Sequence, residues 1–315
     1  MRQEGLTRRN FVAALAATSV AGGAAAGDCA AARKRAIPQF ERNSKNEPIF
    51  TGQAGDLRVK FLGTGAADWQ PTGRNGPKPD GEWRRRSSVL LDGRILIDFT
   101  AQAFDMLGEA KPEVIFYTHQ HGDHYDAPAA LKAGVKRAYV HKSWHEHAAK
   151  QFKAFAAKLG KPAPEVIGID FFEKVEFDGY VFTLLPANHC CDRPEWLAGV
   201  YAIRKGVTHL YYATDTAYCN DRAWCFYVMK EPPFTAIIHE STLNRKDTRI
   251  SGHSSIDMVE YLVESLYWRG FYTPPAGRKV YLTHLSRNSH PPHAEIAAGA
   301  ADPLVPAHDG LEVVL

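Results

Sequence analysis

From Asp56 onward, short apolar runs alternate with stretches of helical period, and a polar residue closes each run. Six of these runs end on a side chain that binds metal or moves protons. "RILID" ends at Asp98, "EVIFYTH" at His119, "YVFTLLPANH" at His189, "HLYYATD" at Asp215, "AIIHE" at Glu240 and "KVYLTH" at His284. Continuous runs rich in Val, Ile, Leu, Tyr and Phe predict strands covered on both faces. Between them, "DAPAALKAG" reads as a short helix, and "SWHEHAAKQFKAFAAKLG" as a basic amphipathic helix stopped by Gly160 and Pro162. "SSIDMVEYLVESLYWRG" predicts a third helix, capped by Ser254 or Ser255 and ended by Gly270. Two β-rich halves, each with its own helices, predict an α/β layered sandwich.

Strand ends are where loops converge on a rigid sheet, so active sites gather there. One aspartate in such a place, Asp98 for instance, serves equally well as a turn cap; six such ends in series do not reduce to caps. The densest stretch is "FYTHQHGDHYD". His119 and His121 are two residues apart and face the same side of an extended segment. Gly122 is free to adopt a positive φ, so the chain is expected to turn there and present Asp123 and His124. Two ligand pairs on one turn suit two metal ions about 3.5–4 Å apart. Imidazole and carboxylate donors favour Zn²⁺, with Mn²⁺ or Fe²⁺ as alternatives.

With 45% hydrophobic and 23% charged residues, the 315-residue chain has an ordinary globular composition. A net charge of +3 with no concentrated basic face argues against a stable nucleic-acid partner. Residues 1–30 differ from the rest. Arg8 and Arg9 precede Phe11 and a mild Ala/Gly segment, an order that resembles a twin-arginine export signal. An alanine-rich tail is the plainer alternative. The expectation is an exported protein, periplasmic or extracellular, with a flexible linker over residues 31–55 and no transmembrane segment in the mature chain. The five cysteines (Cys29, Cys190, Cys191, Cys219 and Cys225) lack a CxxC zinc spacing. They read as buried thiols, with Cys219 and Cys225 the nearest plausible disulfide. His141, His145, His147, His290 and His293 read as rim or surface residues and receive no role.

"THQHGDH" resembles the metal motif of the metallo-β-lactamase superfamily, and "ANH", "ATDT" and "THLS" look like its third, fourth and fifth motifs. The resemblance covers residues 56–315 and implies a single domain with a four-layer αββα sandwich. It implies one metal held by His119, His121 and His189, a second held by Asp123, His124 and His284, and Asp215 bridging both. Asp98 would orient ligands. A metal-activated water would be the nucleophile, with Asp123 placed to take its proton.

Further pieces resemble the ribonuclease Z and phosphodiesterase branch: "LGTGAADW", "RRRSSVLLDGRILID", and "AIIHESTLN" followed by "SGHSSIDMVEYLVES". That likeness implies His253 as the general acid for the leaving oxygen, with Glu240 orienting or charging it. Arg287 follows His284 at an offset one residue from that branch's pattern and would meet a phosphate oxygen. No glycine-rich arm for holding tRNA is recognisable between His124 and His189. The expected substrate is therefore a small phosphodiester such as a cyclic nucleotide. A lactone or other ester hydrolase with the same ligands is the alternative, and a non-catalytic metal-dependent sensor is the second. A homodimer is compatible with the resemblance.

Overall fold

The structure, a computed structural model, describes residues 55–218, 227–247 and 251–315. The export signal, nearly all of the linker, and Cys29, Cys219 and Cys225 lie outside the described residues. Those described belong to one compact unit, Phe40–Leu315.

The first half supplies β1 (Arg58–Gly63), β2 (Ser88–Leu91), β3 (Ile95–Ile97), β4 (Val114–Phe116), β5 (Arg137–His141) and β6 (Glu165–Ile169). The second supplies β7 (Lys174–Phe177), β8 (Tyr180–Pro186), β9 (Gly199–Lys205), β10 (Thr208–Ala213), β11 (Ala236–Glu240), β12 (Val280–Thr283) and β13 (Leu304–Pro306). A last strand, β14 (Glu312–Val314), returns to the first half and pairs with β1. Among the described residues the result is two seven-stranded sheets, in the orders β14-β1-β2-β3-β4-β5-β6 and β13-β12-β11-β10-β9-β8-β7.

Helices α1 (Ala127–Ala133) and α2 (His145–Leu159) connect the parallel strands β4, β5 and β6, while α3 (Ile256–Trp268) and α4 (His293–Gly299) connect β11, β12 and β13. The apolar runs alternate between two covered faces. Val114 and Phe116 enter the core between the sheets, where Phe116 stacks on Phe182 with ring centres 3.9 Å apart. Ile115 points the other way, into a second core with Tyr117, Trp144 and Phe152 under α1 and α2. Ala236 and Ile238 face the inter-sheet core, whereas Ile237 joins Val259, Leu262 and Leu266 of α3. Three apolar layers between four structural layers make the αββα sandwich, in one domain.

Strand direction explains why the site lies on one rim. β3 and β4 are parallel, as are β10, β11 and β12, and β8 points the same way as β10 because two antiparallel steps separate them. The polar ends of all six sequence runs are therefore C-terminal strand ends, the rim where sites form in open parallel sheets. Caps set the helices that leave it. Asp126 accepts from the Ala129 N–H at 2.9 Å and from the Ala101 N–H at 3.1 Å, and Ser255 accepts from the Met258 N–H. Ser254 is no cap; its hydroxyl donates to the Thr216 carbonyl.

Two expectations are corrected. Gly122 does not take a positive φ. The turn closes instead through the amides of His124 and Tyr125, both donating to the His121 carbonyl, a helical pattern open to any residue. Cys190 is exposed and Cys191 half-buried, so neither is a core thiol.

Candidate metal centre

Asp98 and His284 directly follow β3 and β12, Asp215 stands two residues past the end of β10, and all three have positive φ, at 52°, 54° and 47° respectively. This region strains a residue with a Cβ and is tolerated where surrounding structure enforces it. Each of these side chains is thereby turned out of the sheet toward the shared rim.

Among the described residues three groups of donor atoms result, each with its atoms within 4.8 Å of one another; the first two share Asp215, and the third is Glu240, His253 and His284. In the first, His119 Nε2 is 2.9 Å from His121 Nδ1 and 3.1 Å from Asp215 Oδ2, and His189 Nε2 is 3.2 Å from His121 Nδ1. In the second, His124 Nε2 is 3.2 Å from His284 Nε2, 3.3 Å from Asp123 Oδ2 and 2.7 Å from Asp215 Oδ2. Asp215 Oδ2 belongs to both. Donors about 2.0–2.1 Å from a tetrahedral ion sit roughly 3.3 Å apart, and the spacings here cluster around that value.

The opposite ring nitrogens show which atoms are free. His124 Nδ1–H donates to Asp98 Oδ2 at 2.7 Å, and His189 Nδ1–H to the Gly252 carbonyl at 2.9 Å. Thr118 gives its hydroxyl proton to Asp98 Oδ2, so at 3.0 Å its oxygen accepts from His119 Nδ1–H. Thr242 likewise donates to Glu240 Oε2 and accepts from His284 Nδ1–H at 2.7 Å. His121 Nε2 lies 3.4 Å from the Asp192 carboxylate. Every inward-facing nitrogen is then an unprotonated lone pair beside others. Such an arrangement repels itself unless a cation sits between the lone pairs, so the donor set fits two metal ions.

Electrostatics divide the histidines: His119 is held neutral, whereas the carboxylates around His124 draw a positive charge onto its side of the site. Burial, reinforced by His124, pushes the His119 imidazole down to about 4, keeping it neutral. Burial disfavours charge on Asp215, yet His284 and His124 outweigh it and hold the carboxyl well below its usual range. Burial also opposes a charged His124, but Asp215, Asp123 and Asp98 raise its pKa.

His253 stands beside this centre, its ring 5.0 Å from His189 and 5.7 Å from His284. Its Nδ1 is 3.1 Å from Oε1 of Glu240, which is fully buried and also accepts the Thr216 and Thr242 amides at 2.8 and 2.9 Å. Burial pulls the His253 imidazole down, but Glu240 and then Asp215 outweigh it and raise it to about 9. The loop carrying it is pinned to the metal rim, because Gly252 donates to Asn188 and accepts from His189.

A cavity of about 540 Å³ opens over these groups and is lined by His121, Asp123, His189, Asp215, His253 and His284 among others. Arg287 does not line it. Its Nε donates to the Gly76 carbonyl at 2.6 Å, and its amide donates to Asp68. Nor do the remaining histidines join the centre. His141 is buried at the end of β5, His145 meets the Val166 carbonyl, His147 packs on Trp196, His290 donates to the Ser241 carbonyl and His293 accepts from Arg84. Sequence reasoning missed Thr118, Thr242 and Asp68. All three lie within quoted motifs, Thr118 in "THQHGDH", Thr242 in "AIIHESTLN" and Asp68 in "LGTGAADW", but none was given a role; Asp68 ties the Ala66–Asp68 rim to Ser286, Arg287 and Asn288.

A family model described as a beta-lactamase superfamily domain matches residues 93–284, more than half of the chain. Among solved structures, the chain is similar to a diphosphatase of the PhnP family, with TM-score 0.61 and 22% identity over 84% of this chain and 98% of that one. It is similar to Zn²⁺-bound PqqB from Methylobacterium extorquens, with TM-score 0.58 and 17% identity over 82% of this chain and 100% of that one. The short form of human tRNase Z gives TM-score 0.56 and 16% identity over 81% and 98%. At these identities the likeness is one of fold. No curated protein matches by sequence.

Proposed function

Because the chain belongs to the beta-lactamase superfamily, a family of hydrolases, we propose that it is a two-metal phosphodiesterase acting on a small phosphodiester, with a cyclic nucleotide as one example. His119, His121 and His189 would hold one ion, Asp123, His124 and His284 the other, and Asp215 both. Zn²⁺ suits these donors best. When bound, two such ions supply Lewis-acid stabilisation of phosphoryl charge and lower the pKa of water. Asp123, whose side chain is 9% exposed on the cavity wall, takes the proton of the attacking water.

The observation that carries the reading is His253. With Nδ1 committed to Glu240, its Nε2 remains for the cavity, and an N–H there protonates the departing alkoxide. Hydrolysis of an activated carboxylic ester with the same ligands has less need of such a donor. A 540 Å³ cavity is of small-molecule size. Between His124 and His189 the chain is spent on α1, α2 and the strands β5 to β8, consistent with a substrate smaller than tRNA.

Zinc-loaded protein should hydrolyse bis(p-nitrophenyl) phosphate in preference to p-nitrophenyl acetate and to a homoserine lactone. Faster turnover of the ester or lactone would overturn the phosphodiester reading. The export signal is proposed separately from Arg8 and Arg9: residues 1–30 fused to a folded reporter should send it across the membrane, and an Arg8→Lys, Arg9→Lys pair should stop it.

A further inference from the structure

The structure assigns Thr242 as a positioning residue that joins the leaving-group acid His253 to the metal ligand His284 through one buried carboxylate. This rests on the two-metal reading above.

The hydroxyl of Thr242 has one proton, and the Glu240 carboxylate can only accept. That proton therefore goes to Glu240 Oε2, and the Thr242 oxygen accepts from His284 Nδ1–H at 2.7 Å, nearer than His253 Nδ1 at 3.2 Å. The other oxygen of Glu240, Oε1, takes the His253 Nδ1–H at 3.1 Å. One carboxylate thus fixes the tautomer of two imidazoles, directly for His253 and through a hydroxyl for His284. Both Nε2 atoms are left for the cavity side.

Asp98 does the same on the other wall. It takes His124 Nδ1–H directly and serves His119 through the Thr118 hydroxyl. The two relays differ in what they join. Asp98 links ligands of the two metals, whereas Glu240 links a ligand to a residue that holds none. Thr242 also lines the cavity.

A competing partner for His284 Nδ1 exists. Asp215 Oδ1 is 3.1 Å away, farther than the Thr242 oxygen at 2.7 Å, and it makes no hydrogen bond. Removing the Thr242 hydroxyl would release His284 toward that oxygen or toward the other tautomer, with Nε2 protonated and unable to bind metal. Losing such an orienting partner typically weakens metal binding about 10- to 100-fold.

The test is chelator-competition titration of the full protein with Zn²⁺, comparing Thr242→Val, Thr242→Ser and wild type, with folding checked by circular dichroism. T242V should weaken one of two zinc ions about 10- to 100-fold, while T242S, which restores the hydroxyl, should hold both within a few-fold of wild type. In ¹⁵N NMR, a slowly exchanging His284 Nδ1–H should be present in wild type and T242S and absent in T242V, a change that a mere packing role would not produce. Two zinc ions held equally by wild type and T242V overturn the inference alone. Wild type that takes up fewer than two overturns the metal reading and the inference together.

Discussion

At the scale of single residues, the centre is built from side chains that would be costly to bury without a cation. His121→Ala should therefore lose one ion and turnover together, as read by bound zinc and kcat; full zinc content with lost turnover would contradict its place as a ligand. The backbone offers a second test. Asp215 sits at φ 47°, where a Cβ is strained and glycine is not. Asp215→Gly and Asp215→Ala both remove the carboxylate, yet the glycine variant should be the more stable by about 0.5–1 kcal/mol in urea unfolding. Gly122 is the opposite case. A Cβ added there meets nothing and its φ is ordinary, so Gly122→Ala should fold and bind zinc like wild type. The seven residues gathered at this rim were legible because each ends a strand run or lies on the loop that follows it. Thr118 and Thr242 were not, because a hydroxyl declares its role only through the groups it faces. The same limit explains His141 and His290, which resemble ligands by type but whose burial and partners are structural.

At the scale of elements, the apolar runs located the strands, and Asp, Ser and Gly located the helix ends. Asp126 caps α1 and also holds the Ala101 amide, so it locks the turn after the histidine loop from both sides. Asp126→Ala should cost about 1–2 kcal/mol, in the upper part of the range for a lost cap, as a lower urea midpoint at unchanged slope. No loss would mean that the cap is redundant with the Pro128 and Gly134 signals at the helix ends. What the runs could not reveal was pairing. That β14 crosses back to β1 is a long-range register, set by a few pairs such as Arg58 with Val314, and no local period encodes it.

For the whole molecule, two buried histidines that are not among the proposed ligands set a pH dependence of stability. Burial, opposed by the carbonyls of Pro232 and Pro233, lowers His209 to about 4. Burial, opposed by the Ser241 carbonyl, lowers His290 to about 4. In the unfolded chain both take up a proton near the ordinary value of about 6.5. The folded state does so only near 4, so stability is intact above about 6.5 and falls as pH drops through that window. Each group contributes at most about 3 kcal/mol of loss by pH 4. His209→Gln should flatten the decline in urea stability between pH 7 and 4; an unchanged slope would show that His209 is protonated in place. At this scale the sandwich was legible from alternating runs and helices, and the way both halves aim their strand ends at one rim follows from strand direction.

We propose this rim as a two-metal phosphodiester site with His253 as its acid. The most direct measurement is kcat on bis(p-nitrophenyl) phosphate together with bound zinc, for wild type and His253→Ala in one preparation series. Both proteins should hold two zinc ions, and kcat should be lower by about 10²- to 10⁴-fold in the variant. Equal kcat at equal zinc would contradict it and leave His253 as a loop residue beside the metals.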